Sequence, residues 1–291
     1  MNTSIEMRQL QIRKIVERAI VEDVGSGDIT TRLTIPETAT ASGVILAKES
    51  GILAGMRVAE LCFQVVDPTV AFAALASDGA RVEPGQKLAT VSGSARSILT
   101  GERVALNFLQ RMSGIATMTG RFADAVAGTS ARIVDTRKTT PGLRVLEKYA
   151  VRAGGGFNHR FGLDDGILIK DNHIAIAGGV AQAIRLARAG APHTLKVEVE
   201  VRTLAELDEA LQAHTDAVLL DNMSTDQMRQ AVEIIGGRAV VEASGGVDES
   251  SVAAIAATGV DIISVGKLTH SFRSLDISLD ITTGSSSEKT E

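Results

Sequence analysis

Apolar positions at Ile5, Leu10, Ile12, Ile15, Val16, Ala19 and Ile20 fall roughly on one helical stripe, which predicts an amphipathic helix over 5–22. EDVGSGDITT then breaks the period and reads as a loop. SGVILAKESGILAG (42–55) reads as a hairpin pair of strands with Gly51 at the turn. Residues 70–93 read as strands broken by Asp78-Gly79 and Pro84-Gly85. Leu106, Leu109, Met112, Ile115 and Ala116 restore a 3.6-residue period within 94–128. They predict a long helix that breaks near Ser113-Gly114 and joins a first domain to a second.

From residue 131 the texture becomes strand, loop, helix, repeated. The predicted strands are ARIVD, GILIK, LKVEVEV, AVLLD, AVVEAS and DIISVG. Thr203 with Glu206, and Ser224 with Gln227, have capping-box spacing, in which side chain and backbone satisfy each other's orphan groups. Pro141 suits a first helical position. Six strands alternating with helices predict a parallel sheet with right-handed crossovers, closed as a barrel or left as an open doubly wound sheet. The unusual polar and glycine residues favour the barrel. Arg137, Lys138, Lys170, Glu200, Asp221, Ser244, Gly245, Gly246 and Gly266 all fall at or just after the C-terminal end of a strand, the edge where β/α barrels place their chemistry.

Composition narrows the classes. Apolar residues make up 44% of 291 residues, aromatics only 3%, and Trp is absent, so the core is aliphatic. The net charge of −5 argues against a general nucleic-acid or membrane-surface binder. One cysteine, Cys62, excludes an internal disulfide and a cysteine-cluster metal site, and its apolar neighbours imply a buried, inert thiol. No apolar run reaches the length of a membrane span. The opening MNTSIEMRQLQIRK is polar and mixed in charge, so the expected location is the cytoplasm. The tail GSSSEKTE (284–291) reads as disordered. DGARVEPGQKL resembles the hammerhead turns of biotinyl and lipoyl carriers. No modifiable Met-Lys hairpin accompanies it, so the likeness is one of shape.

The chemistry gathers around DTRKTTPG (135–142). Between 137 and 160 stand six Lys/Arg against one acid, Glu147, in a chain that is acidic as a whole. That points to a small, strongly anionic ligand, although Lys148 on its helix face reads as merely solvated. Arg suits carboxylates through bidentate pairing, and Lys suits phosphates as a point charge. Glu198 and Glu200 alternate with valines in KVEVEV and so share a face. Glu200 and Asp221 suggest a Mg²⁺ shared with phosphate, or hydrogen bonds to sugar hydroxyls. EASGG and SVGKL resemble paired glycine loops whose N–H groups cradle a phosphate monoester. Gly266-Lys267 is not a Walker A loop, because the upstream Gly is missing and Leu268 replaces Ser or Thr. Taken singly, Glu198 also reads as a solvent-facing strand residue, Asp221 as a turn cap, Gly245-Gly246 as a hinge and His159 as a surface histidine. Taken together they call for a carboxylate, phosphates, a sugar and magnesium, that is, a phosphoribosyl donor and an acidic acceptor.

GDITT, GERVALNFLQRMSGIAT, DTRKTTPGLRVLEKYAVRAGGGFNHRFGLDDGILIKDNH, VEVEV, LLDNM, EASGG and SVGKLTHS, in this order, resemble the quinolinate phosphoribosyltransferase family over roughly residues 5–282. The resemblance implies an N-terminal α/β sandwich (1–113, joined by 270–291) and an incomplete, open parallel β/α barrel (114–269). It implies phosphoribosyl transfer from 5-phosphoribosyl-1-pyrophosphate to quinolinate with decarboxylation, giving nicotinate mononucleotide for NAD biosynthesis. Arg137, His159 and Arg160 would hold quinolinate's carboxylates, with Arg103 supplied by the partner of a homodimer, alone or within a hexamer. Lys138 and Lys170 would meet donor and acceptor. Glu200 and Asp221 would hold ribose hydroxyls and Mg²⁺. Ser244, Gly245, Gly246 and Gly266 would take the 5-phosphate, with His270 nearby. Lys267 departs from the small residue common there. The rivals are the related molybdenum-transport-associated transferases, a nicotinate-specific transferase, a carrier-like module with a degenerate barrel, and an aldolase using Lys170.

Overall fold

The computed structural model describes residues 3–282, so the Ser-rich tail lies outside the described residues. Two compact units emerge. Among the described residues, one comprises 3–118, Thr140–Gly155 and 272–282; the other comprises Thr119–Thr139 and Gly156–Ser271.

The first unit opens with α1 (Thr3–Val24) and α2 (Ile29–Thr34). Helix α1 covers the predicted segment. Helix α2 occupies part of the expected loop, because Asp28 accepts from the Thr31 N–H at 2.9 Å and caps it. Then come β1 (Thr40–Ala47), β2 (Gly51–Ile52), α3 (Met56–Val66), β3 (Ala71–Ala74), β4 (Arg81–Val82), β5 (Lys87–Ser94) and α4 (Ala95–Ala125). The 42–55 hairpin does not form. Strand β1 instead pairs antiparallel with β5, while the two-residue β2 pairs with β4. The reason is register, since the long β1 finds an eight-residue partner in β5 and leaves Gly51-Ile52 to a second sheet. Ile45, Leu53, Leu88, Ile98, Leu109 and Met112 are fully buried and form the aliphatic core. Cys62 is buried on α3, and burial pushes its thiol up to about 12, too high for a thiolate at neutral pH.

Helix α4 runs 31 residues without the expected break at Ser113-Gly114. Ser113 Oγ is used in packing, accepting from Ala54 N at 3.0 Å and donating to Ala54 O. Gly114 lies against the Arg273–Ser274 backbone, where any Cβ would overlap. The glycine therefore serves close approach rather than a kink.

The second unit holds β6 (Arg132–Val134). Helix α5 (Arg144–Ala153), which follows it in the chain, packs in the first unit. Pro141 does not open α5, because the N-cap is Leu143 and residues 141–143 form a turn with Gly142 at φ 81°. Lys148 is not solvated; it is 2% exposed, as is fitting for a helix whose Val145, Leu146, Ala150 and Val151 are also buried. Glu147 is fully buried, ion-pairs with Arg111 and accepts from Thr140 N at 3.1 Å.

Then follow β7 (Ile167–Ile169), α6 (Asp171–Ala177), α7 (Val180–Gly190), β8 (Val197–Val201), α8 (Leu204–Gln212), β9 (Ala217–Asp221), α9 (Thr225–Ile235), β10 (Val240–Ser244), α10 (Val252–Ala256), β11 (Ile262–Ser264) and α11 (Lys267–His270). The six predicted strands form one parallel sheet in the order β6-β11-β10-β9-β8-β7. Both predicted capping boxes, on α8 and α9, are present. Phe157 adds one parallel bridge beside Val134 on the outer side of β6, and His159, two residues on, reaches β8 and β10. A segment at one edge of the sheet can touch its middle strands only if the sheet curls, which is the open barrel. The chain closes with β12 (Ile277–Thr282), which returns to the first unit and pairs antiparallel with β1 in a sheet ordered β12-β1-β5-β3.

Candidate active site

The C-terminal ends of the barrel strands surround a cavity of about 710 Å³ lined by Thr136, Arg137, Lys138, His159, Arg160, Lys170, Glu200, Asp221, Ser244–Gly246, Gly266, Lys267 and His270, among others. Strand alternation sets this list. On β8 the valines 197, 199 and 201 are buried on one face, which leaves Glu198 and Glu200 on the other. In register, Glu200 lies beside Leu219 and Leu219 beside Glu242, and all three line the cavity. The 137–160 cation run divides. Arg137, Lys138 and Arg160 reach the cavity, whereas Arg144, Lys148 and Arg152 lie on α5 in the first unit.

Backbone anchors hold the polar groups. Lys138 O accepts from Thr269 Oγ1 at 2.8 Å, which ties the DTRK loop to α11. Lys170 N donates to His173 Nδ1 at 2.9 Å, and Lys170 Nζ lies 3.1 Å from Glu200 Oε2. Asp221 Oδ1 accepts from Asn222 Nδ2 at 2.9 Å, and its Oδ2 meets Arg202 Nε at 3.1 Å. Arg202 also reaches Asp171 at 3.0 Å. The loops after β9 and β10 are built from unusual backbone: Gly245 and Gly246 have φ of 94° and 63°, and Asn222 holds φ 54° without being glycine. A Cβ on Gly266 would come within 3.1 Å of His270 Nε2 and 3.2 Å of Lys138 Cδ, so the missing side chain lets these groups close in.

One side of the cavity, with Arg137 and Arg160, is cationic. Arg160 Nη1 donates to Gly166 O at 3.0 Å, and burial, then the neighbouring Arg137 charge, lowers its pKa below the ordinary arginine value. Behind it, His159 N donates to the fully buried Asp135 at 3.0 Å, and Asn158 Nδ2 bonds the same carboxylate. His159 Nε2 lies 3.2 Å from Glu198 and 3.4 Å from Glu242. Burial alone would lower the imidazole's pKa, but hydrogen bonds and charge from the two glutamates outweigh it and raise it to about 10. Against a second ring proton stands the Arg160 N–H, which points at Nδ1 from 2.7 Å. The form compatible with that contact carries its proton on Nε2. Glu198 is raised above the ordinary carboxylate value, chiefly by burial.

Four side chains of this neighbourhood were not singled out from the sequence: Asp135, Glu242, Arg202 and Asn222. Glu242 had a signal, an acid inside the apolar strand AVVEAS. Arg103 lies exposed on α4 in the first unit. Among the described residues no helix is long and apolar enough to cross a membrane.

Two family models match. "Quinolinate phosphoribosyl transferase, N-terminal domain" covers residues 28–113, and its C-terminal counterpart covers 115–280. The chain is 45% identical over 276 residues to a probable nicotinate-nucleotide pyrophosphorylase [carboxylating] of Bacillus subtilis, covering 95% of each. It is 48% identical over 275 residues to the corresponding Mycobacterium leprae protein, covering 92% of this chain and 96% of that one. The crystal structure of NadC from Streptococcus pyogenes superposes with a TM-score of 0.91 at 45% identity, covering 94% of this chain and 97% of the other. With both domains matched and the site residues gathered in one cavity, the chain belongs to the quinolinate phosphoribosyltransferase family.

Proposed function

We propose that this chain transfers the phosphoribosyl group of 5-phosphoribosyl-1-pyrophosphate to quinolinate with loss of CO₂, giving nicotinate mononucleotide and pyrophosphate. The observation that carries this reading is one cavity in which Arg137, Lys138, Arg160 and Lys170 face Glu200 and Asp221 across glycine loops. Arg137 and Arg160 take quinolinate's carboxylates by charge-assisted pairing. Loops 244–246 and 266–270 take the 5-phosphate on backbone N–H groups.

The ring nitrogen of quinolinate attacks the anomeric carbon as the C–O bond to pyrophosphate breaks. Positive charge grows on the ribose ring, where Glu200 and Asp221 offset it, and negative charge grows on the leaving group, where Lys138 and Lys170 do so. Two hard carboxylates beside a phosphate cradle suit Mg²⁺, which binds through one or two carboxylates, waters and substrate phosphates. Glu200 and Asp221 would hold it, and when bound it supplies further charge neutralisation for pyrophosphate. Once the nitrogen is quaternary, the adjacent carboxylate leaves as CO₂. The electron pair stays on C2 beside N⁺, and a proton from solvent completes the product. No organic cofactor is required. Arg103 completes the acceptor pocket of a second copy in a homodimer, and the charged, water-soluble substrates fit a cytoplasmic enzyme.

The test is release of CO₂ from carboxyl-labelled quinolinate with the donor and Mg²⁺ present or omitted. Release that requires both is expected. No release from folded protein that still binds the donor would overturn the acceptor assignment.

A further inference from the structure

Glu198 and Glu242 have no part in the chemistry above, yet both are withdrawn from solvent, Glu242 in the cavity lining and Glu198 two residues before Glu200 on the same face of β8. They stand on β8 and β10, one strand apart, and their Oε2 atoms flank His159 Nε2 at 3.2 and 3.4 Å. Glu242 is 1% exposed, and its Oε1 finds no hydrogen-bond partner among the described residues. Burying two carboxylates this close together is costly, so they need a compensating role. On the other side of the ring, Nδ1 accepts the Arg160 N–H at 2.7 Å. Both imidazole nitrogens are thus engaged by the protein.

What lies beyond the ring supplies the role. Arg137 and Arg160 line one cavity as like charges, and their repulsion must be offset while no dianion is bound. We infer that Glu198 and Glu242 are positioning residues for the acceptor: through His159 they fix Arg160, and they supply the counter-charge that lets Arg137 and Arg160 stand together in the empty site. His159 is the link in this arrangement. The inference rests on quinolinate being the acceptor, and it assigns the glutamates to that substrate alone. The phosphoribosyl donor meets other residues.

The test uses E242Q and E198Q, which keep shape and remove one charge, in the full-length enzyme. The expected result is a rise of at least tenfold in the KM for quinolinate, with the KM for the donor within twofold of wild type. In an H159A background E242Q should add less than twofold, because two residues acting through one link are not additive. Equal rises in both KM values, an unchanged quinolinate KM, or full additivity with H159A would overturn the inference. If E242Q does not fold, E198Q carries the same comparison. Wild-type protein that releases no CO₂ would instead overturn the acceptor assignment, so the two failures are distinguishable.

Discussion

Replacing Gly245 by alanine tests the phosphate loop at its most constrained point. Gly245 holds φ 94°, where an L side chain is strained, at a cost of ~1–3 kcal/mol. Its Cβ would also overlap the Asn222 side-chain amide. Asn222 can yield only by giving up its 2.9 Å bond to Asp221 Oδ1, a carboxylate assigned to the ribose and Mg²⁺. That bond adds roughly 1.5–3 kcal/mol, since its acceptor is charged. Even with partial relaxation about 2 kcal/mol remains, and at 1.4 kcal/mol per factor of ten this is roughly 30-fold. The assay is CO₂ release against donor concentration at saturating quinolinate, where kcat/KM for the donor should fall by about that factor. Gly246→Ala is the internal control. Gly246 has φ 63° and open space where its Cβ would go, so only the backbone cost of ~1–2 kcal/mol applies. A G245A enzyme within twofold of wild type, or a G246A enzyme more damaged than G245A, would refute the cradle reading.

Arg137→Ala should remove a charge-assisted contact to the acceptor and cost ~1.5–3 kcal/mol in kcat/KM for quinolinate, seen in the same assay. Glu147→Ala should leave the Arg111 charge and the Thr140 N–H without their buried partner; breaking a buried pair costs ~3–5 kcal/mol, and partial exposure of Arg111 puts the loss near the lower figure, read as a drop in Tm. Thr203→Ala should lose the α8 capping box and destabilise by about 1 kcal/mol in a denaturant titration, with kcat unchanged.

The barrel was legible because its determinants are local. Alternation in VEVEV, apolar runs such as AVLL, and the Thr203/Glu206 and Ser224/Gln227 boxes each fix an element within a few residues. Right-handed crossovers then leave little freedom in assembling the parallel sheet. The placing of Lys170, Glu200, Asp221 and Ser244 at the cavity follows from the same logic, since the C-terminal end of a parallel strand is defined by its own sequence. The DTRKTTPG motif marked the cationic side of the cavity, but its helix began later than Pro141 suggested.

What the sequence left open needed distant partners. Strand β1 could not announce that it pairs with β5 and β12 rather than with its neighbour, because antiparallel pairing is decided by which long strand lies alongside. Gly114 resembles a helix breaker until the Arg273–Ser274 backbone is seen against it. Lys148 looks solvated on a charged helix until α5 is seen buried in the first unit. Most of all, Glu198, His159 and Glu242 are separated by about forty residues each along the chain and meet only because the sheet curls. Local pattern determined the elements and the edge that carries the chemistry. Tertiary structure decided which charges meet, because desolvation and ion pairing depend on neighbours that curvature brings together.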